Sequence, residues 1–507
     1  MAIAIAIMLA VTTCGAFTAF ADVNLTVDPK VTVTGFEDGD TVTAYQFITW
    51  DSTDNNWKVI DGIGLSLADI TNGLTKEELG ILASHTNLMT PVTDGTLNAG
   101  TWEKTCGTVA TAGSYLILVT SNSVDYVYNP AVVSADFDGT NVAAVELTED
   151  SSYIKKQKVD VVKVADNGTD DYDVQVGDIV PFTVTVTVPQ YNSNWTEPYF
   201  AVSDKLSTGL TIFDVPTIAG LTEGTDYTIT AKGAQGDDGF TIQFSEDYLK
   251  DNASAAVAIK YTALVGERVK DTAQVHEETN KVTLEFSHDP TDTSSHKTVD
   301  DETHHYTFAI DATRLGQGST KTNELIKVGV DKDGNPITTR KEGETLPTGV
   351  SPLAGAEFTL TGTGPNNTGT VELTATSDAD GRIFFNNLEA GTYTLKETKA
   401  PAGYIKDTTE HTVNISAGYN PDTTLQSYTI TIDGENTSTY TATTNAQSVT
   451  TYEAPAGGNS SFPINNKKGT ELPSTGGSGT TMIYIIGVIL VAGAGILLVT
   501  RRRMKAE

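Results

Sequence analysis

The run GDIVPFTVTVTVP at 177–189 alternates apolar and polar side chains, and that alternation constrains the chain more than any other feature. Period-two patterning turns one face of a strand toward a core and the other toward water. Pro181 and Pro189 bound the run, because a ring nitrogen cannot donate to a strand ladder. The same texture recurs from residue 31 (VTVTGFEDGDTVTAYQFITW) to QSYTITI at 426–432, with 45 Gly and 17 Pro as turn material. This predicts a mainly β protein of short strands. Its best helical stretch, LSLADITNGLTKEELGILAS at 65–84, reads as an insertion in the first β-rich region.

Charge narrows the partners. The 507 residues carry 32 Lys+Arg against 65 Asp+Glu, a formal net charge of −33. Nucleic acid is excluded as a partner, since phosphate binding needs a cationic footprint. With 38% hydrophobic and only 19% charged residues the chain can bury cores, so wholesale disorder is not expected. The length predicts about three domains. Cys14 falls in an apolar leader, leaving Cys106 without an internal disulfide partner.

The two ends give the destination. Residues 1–21 are an apolar run closed by Ala19-Phe20-Ala21, the pattern of a secretory signal peptide. The basic leader that precedes such a core is missing, so the true start is expected upstream. At the other end, residues 481–499 are uncharged and long enough to cross a bilayer. Arg501, Arg502, Arg503 and Lys505 follow and hold the C-terminus on the cytoplasmic side. Leu472, Pro473, Ser474, Thr475 and Gly476 stand just before the span.

Pentapeptide, apolar span and basic tail together resemble the LPxTG sorting signal of Gram-positive surface proteins. The resemblance implies a sortase that cuts between Thr475 and Gly476 and passes Thr475 to an amine. Inside the chain, YTLKETKAPAGY at 393–404 looks like the E-box of Gram-positive pilins and CnaB-type domains, and PLAGAEFTL at 352–360 matches the same domain type. In that family an intramolecular isopeptide bond joins a Lys to an Asn under the influence of an acid. The resemblance makes Glu397 the acid, Lys327 of LIKVGV the amine and Asn466 of INNKKG the amide, with Asn465 as the alternative. Period-two alternation favours Asn466, which shares a face with Ile464.

The residue types suit the chemistry. A Lys amine is a nucleophile only when neutral, and burial lowers its pKa. Burial raises the pKa of an acid, which can then donate a hydrogen bond and shuttle protons as ammonia leaves. Adjacent strands supply the effective molarity. This is a single turnover, so no enzyme activity and no cofactor are expected.

The second β-rich region shows a looser resemblance. VVKVADNGTDDYDVQVGDIVPFTVTVTVP, YFAVSDKLSTGL and NKVTLEFSHDP are similar to the isopeptide-forming domain of fimbrial shaft subunits. The resemblance implies Lys163 as amine, Asp204 as acid and Asn280 as amide, with Lys158 as a weaker amine. The first region, through SYLILVTSNSVDYVYNPAVVSADF, resembles the N-terminal domain of shaft pilins without such a triad. Shaft pilins also use an exposed Lys to receive the next subunit. Tyr128-Asn129-Pro130 lacks the Lys that would follow, so Lys155, Lys156 and Lys158 are the candidates.

The expected organisation is a signal peptide (1–21), an N-terminal β-sandwich with a helical insertion (22–150), and an isopeptide-forming sandwich (151–310). A linker (311–324), a CnaB-type immunoglobulin-like sandwich (325–467) and the anchor (468–507) follow. The expected function is a structural shaft subunit of a sortase-assembled pilus on the cell surface. Its partners would be a sortase, other pilin subunits, peptidoglycan and, transiently, the membrane. The alternative is a monomeric wall-anchored adhesin for an unspecified host ligand. Five of the seven His lie between His276 and His305, yet neighbouring His304 and His305 point to opposite faces of a strand, so no metal site is expected. Trp50, Trp57, Trp102 and Trp195 are expected in cores.

Overall fold

Alternation becomes strand along most of the chain. The computed structural model describes residues 30–503, apart from 72, 124, 138–141, 145–153, 166–171, 192–193, 267–272, 291, 312–322, 331–335, 338–339, 342–343, 455–459 and 470–477. The expected leader, Cys14 and the pentapeptide at 472–476 lie outside the described residues. The chain divides into two compact units. One takes residues up to 172 with 176–268 and 277–305; the other takes 173–175, 269–276 and everything from 306 onward.

In the first unit, the strand Thr41–Asp51 pairs antiparallel with Gly113–Thr120, which also pairs with Ala131–Phe137. A smaller sheet of Lys30–Thr34, Thr101–Thr105 and Thr96–Asn98 packs over one face through Val31, Val33 and Trp102 against Tyr115, Ile117 and Val133. The helices Leu67–Thr71 and Lys76–Ser84 cover the other face, setting Ile70, Leu74 and Leu82 on Phe47, Leu116 and Leu118. The single helical stretch expected at 65–84 is two helices, and the second is capped by its own residues. Thr75 accepts from Glu78 N, and the Glu78 carboxylate accepts from Thr75 N, a reciprocal cap.

The same unit holds a second pair of sheets. One is ordered Val161–Ala165, Ile179–Thr187, Ala256–Val265, Leu210–Ile218. The other runs Tyr227–Lys232, Gly239–Phe244, Phe200–Leu206, Val275–Ser287, His296–Ile310. The rings of Tyr261 and Phe240, one from each sheet, meet edge to face at 5.0 Å. The aligned inner faces are buried aromatic and β-branched side chains, as a sandwich requires.

In the second unit a seven-stranded antiparallel sheet includes Glu357–Thr363, Gly391–Lys399 and Glu410–Tyr419. A four-stranded sheet is ordered Arg340–Lys341, Ser460–Lys467, Leu325–Val330, Ser351–Pro352. Here the first long strand and the last run parallel, with Lys327 opposite Ile464 and Gly329 opposite Asn466. Every residue of Leu325–Val330 is buried. Leu325 and Ile464 join Phe358, Leu360, Tyr393, Leu395 and Ile430 in one core. The chain therefore begins and ends this fold on adjacent central strands.

A buried polar clasp sets the entry to that strand. The Asp311 carboxylate accepts from Leu325 N (2.9 Å) and Ile383 N (2.8 Å), while Asp311 N donates to Glu324 at 2.7 Å. The Tyr440 hydroxyl donates to the other Glu324 oxygen. Burial, reinforced by the neighbouring Glu324, pushes the Asp311 carboxyl well above the usual range. The adjacent turn closes on Lys327 itself: Lys327 N donates to Gly381 O at 2.7 Å. Gly381 has φ +75°, and a Cβ there would stand 2.4 Å from Lys327 O. Only glycine meets both conditions. Gly381→Ala is expected to cost roughly 1–3 kcal/mol in denaturant unfolding of the soluble chain; an unchanged midpoint would show that the turn gives way freely.

Candidate functional site: two buried lysine, acid and asparagine sets

Lys327 is fully buried on the strand Leu325–Val330, and its amine lies 3.2 Å from Glu397 Oε1. Glu397 stands on Gly391–Lys399, directly across from Phe358 in the seven-stranded sheet. Asn466, on the last strand, donates from Nδ2 to Glu397 Oε2 at 2.9 Å. The same Nδ2 donates to Ile405 O at 2.6 Å, and Asp407 N donates to Glu397 Oε2 at 2.6 Å. One carboxyl thus has an amine at one oxygen and an amide nitrogen at the other. Lys327 Nζ, Glu397 Oε1 and Asn466 Oδ1 have no hydrogen-bond partner among the described residues. The Phe358 ring centroid lies 5.5 Å from the amine, so the pocket wall is apolar. Burial lowers the Lys327 pKa, against the opposing pull of Glu397 and Asp407.

Asn465, the alternative amide, faces away. Its side chain donates to Ile337 O (2.9 Å) and Pro463 O (3.1 Å) and accepts from Ile337 N. Strand alternation separates the two asparagines.

The second set lies between the two sheets of the sandwich at 161–310. Lys163 and Asp204 form a fully buried ion pair through Nζ and Oδ2. Burial lowers the Lys163 pKa and raises that of Asp204, each against the pull of its partner. Both shifts favour a neutral amine beside a neutral acid. Asn280 is also buried, but it reaches the pair through a residue that sequence reasoning passed over. Tyr261 receives hydrogen bonds from Lys163 Nζ (2.8 Å) and Asn280 Nδ2 (2.6 Å) and donates to Asp204 Oδ1 at 2.9 Å. Burial holds its phenol protonated, well above its ordinary pKa, with the Asp204 charge adding to the effect. The signal was present in AVAIKYTALV, where alternation sends Tyr261 inward on Ala256–Val265.

His305 is a further missed neighbour. It is wholly buried, edge to face with the Phe182 ring at 5.3 Å. Lys158, the weaker amine, is exposed and pairs with Asp160 at 3.3 Å. Asn280 is on Val275–Ser287, the strand before the last one, whereas Lys327 and Asn466 lie on the first long strand and the last strand of their fold.

The candidate receiving lysines differ in environment. Lys156 is held by Glu37 and Gly35 O, with its amine 4.7 Å from the Tyr126 ring centroid. Lys155 is exposed, and no ion pair of its amine occurs among the described residues; its carbonyl accepts from Asn129 N. Trp102 and Trp195 are buried, while Trp50 and Trp57 meet edge to face at 5.1 Å. Cys106 is buried and free. At the C-terminus the helix Ser478–Arg503 holds an 18-residue window of mean hydropathy 2.8 and ends in three arginines. By length and composition it can cross a membrane.

Comparisons with known proteins bear on this arrangement. Residues 464–505 match the LPXTG cell wall anchor motif family. The tail is a cell-wall anchor. An anchor of this kind puts the chain at the cell surface, with the apolar helix as its membrane hold. Residues 335–429, which carry Glu397, match the SpaA prealbumin-like fold domain family. The chain is 25% identical over 543 aligned residues to the trypsin-resistant surface T6 protein of Streptococcus pyogenes serotype M6, covering 94% of this chain and 95% of the relative. A solved structure of the T6 backbone pilin of serotype M6 Streptococcus pyogenes, described as a modular three-domain structure with variable loops and extensions, superposes with a TM-score of 0.52. That match has 19% identity and covers 88% of this chain and 100% of the other. The likeness extends the fold assignment from the matched domain to nearly the whole chain.

Burial holds the His305 pKa at about 3, with Lys163 and His304 adding to the depression. Its unfolded value is ~6.5. Its contribution is full above that value and drains as pH falls toward about 3. The unfolding free energy of the soluble chain in urea should therefore fall as pH drops from ~6.5 to ~4, by at most roughly 1.4 kcal/mol per pH unit from this group. His305→Gln should flatten that slope; an unchanged slope would assign it to other groups.

Proposed function

We propose that this chain is a structural shaft subunit of a covalent, sortase-assembled pilus, hardened by the isopeptide bonds Lys327–Asn466 and Lys163–Asn280. The observation that carries the reading is the geometry at Glu397, whose two carboxyl oxygens contact the attacking and the leaving nitrogen of one reaction. The neutral Lys327 amine attacks Asn466 Cγ. The new C–N bond forms, Nδ2 departs as ammonia, and Glu397 takes the amine proton at Oε1 and returns a proton to the leaving nitrogen. Atoms balance with no cofactor: amine plus amide gives a substituted amide and ammonia. Asp204 has the same part beside Lys163, with the Tyr261 hydroxyl carrying the contact to Asn280. Each molecule reacts once, so the chain is a product of its own chemistry and not an enzyme.

Assembly uses the anchor. A sortase would cut between Thr475 and Gly476 and hold Thr475 as a thioester. A lysine of the next subunit would then take it, and peptidoglycan would take the last one. Of the three candidates, Lys155 suits this role best, because its amine is exposed while that of Lys156 is engaged by Glu37, Gly35 O and an aromatic face. The relative's description as a surface protein and the solved chain's as a backbone pilin support the same reading.

Intact mass tests the bonds. Each one releases ammonia, a loss of about 17 Da from the sequence mass. The wild type should lack two such units, and Glu397→Ala and Asp204→Ala should each restore one. A mass equal to the sequence would sink the cross-links and leave a wall-anchored β-protein. Assembly is tested separately: cells carrying Lys155→Arg should lose the covalent ladder seen when wall extracts run on denaturing gels, and a persistent ladder would move the role to another lysine.

A further inference from the structure

The turn at 405–407 touches both ends of the Glu397 reaction. Its Ile405 carbonyl accepts from Asn466 Nδ2 at 2.6 Å, and its Asp407 N–H donates to Glu397 Oε2 at 2.6 Å. A carbonyl can only accept, so the first contact fixes which end of the Asn466 amide is the nitrogen. The second reserves a lone pair of Oε2 and leaves Oε1 to meet the amine. Backbone atoms of residues outside the Lys, acid and Asn set supply both contacts. Something must hold this turn in place. The Asp407 carboxylate lies 3.7 Å from His411 Nε2 and accepts from Thr409 N at 2.9 Å. His411 Nδ1 bonds Asp433 Oδ2 at 2.8 Å on the far side. The His411 ring also packs edge to face on Phe462, 4.9 Å away, on the strand that carries Asn466.

We propose that Asp407 and His411 are a positioning pair for the Lys327–Asn466 bond, one that pins the 405–407 turn against Glu397 and Asn466 and balances the charge of Asp407 beside the amine. The inference rests on the cross-link reading above. The charged groups that face His411 are Asp407 and Asp433, with Glu397 and Lys327 beyond Asp407. Burial works against the His411 cation, yet the two aspartates raise its pKa above the ordinary value. Burial also opposes the Asp407 anion, but the neighbouring His411 and a hydrogen bond from Thr409 N hold its carboxyl far below the usual range. The shifts favour an anion at Asp407 and a cation at His411.

The charge matters because the reaction needs a neutral Lys327. An unbalanced anion at Asp407 stabilises the ammonium form and raises the pH at which the amine becomes a nucleophile. The His411 cation cancels that anion. The two residues thus have opposite effects on the amine, although both hold the same turn.

The test follows bond formation in the full chain, made by cell-free translation with detergent and sampled over time by intact mass and by mass of the cross-linked peptides. His411→Gln should displace the pH–rate profile of the Lys327–Asn466 bond upward by about one unit, a slowing of about tenfold below the midpoint. Asp407→Asn keeps the backbone N–H and removes the anion, so its profile should move downward. The Lys163–Asn280 bond in the same molecules should form at the wild-type rate in both. Profiles that keep the wild-type midpoint, whether or not the rate drops, would reduce the pair to scaffold and overturn the proposal. Wild-type chain that never loses ammonia from Asn466 would overturn the cross-link itself and the role of the pair with it.

Discussion

A buried amine beside a buried carboxyl is the constraint on which the rest of this structure turns. Taking two ionisable groups out of water costs several kcal/mol per ion, and mutual attraction repays it only in part. Lys327 and Lys163 accept that cost at the centre of their domains, on strands whose other residues are packed or paired. The proposed amide resolves the conflict. It is neutral, it removes the ionisable amine and it uses the asparagine that already faces the acid. The precursor is thus driven toward the bond by the same burial that makes the precursor uncomfortable.

Topology decides what such a bond could do under load. In the second unit the strands Leu325–Val330 and Ser460–Lys467 run parallel and adjacent. Tension entering at 325 and leaving at 467 would shear them past one another, and a bond from Lys327 to Asn466 would carry the force across. The chain between them would be unloaded. The Lys163–Asn280 bond differs, because the strand His296–Ile310 follows Asn280 and lies outside the span it would close. There the load would pass on from Asn280 into the paired strands Val275–Ser287 and His296–Ile310. The two domains need not share one mechanical response, even with the same proposed chemistry in each.

Much of this was legible in residue order. Alternation located the strands, the helices lie within the stretch where the insertion was expected, and the residue types of both sets come together in buried sites. Asn466 over Asn465 followed from strand period alone. What escaped has a common physical character. Tyr261 entered its site as one more inward aromatic on an alternating strand, with nothing in its spacing to separate a polar hydroxyl bridge from core packing. The 405–407 turn acts through a carbonyl and an N–H, which every residue possesses. The Asp311 clasp joins the two ends of a stretch that reads as a plain linker. Side-chain chemistry repeats in recognisable patterns, whereas backbone donors and long-range acid contacts exist only once the chain has folded.

The two sets also show how one demand is met with different reach. A glutamate has one methylene more than an aspartate, and Glu397 spans from the Lys327 amine to the Asn466 nitrogen without help. Asp204 meets Lys163, and the Tyr261 phenol occupies the remaining distance to Asn280. A phenol held protonated can donate to the carboxyl and accept from both nitrogens at once, so it relays a proton without becoming charged. The supporting groups differ for the same reason. The longer acid is fixed by an outside turn that must be clamped and electrically balanced, while the shorter acid is fixed by a rigid ring already stacked on Phe182 at 5.3 Å. The acid's identity thus sets how much of each site lies beyond the three reacting residues.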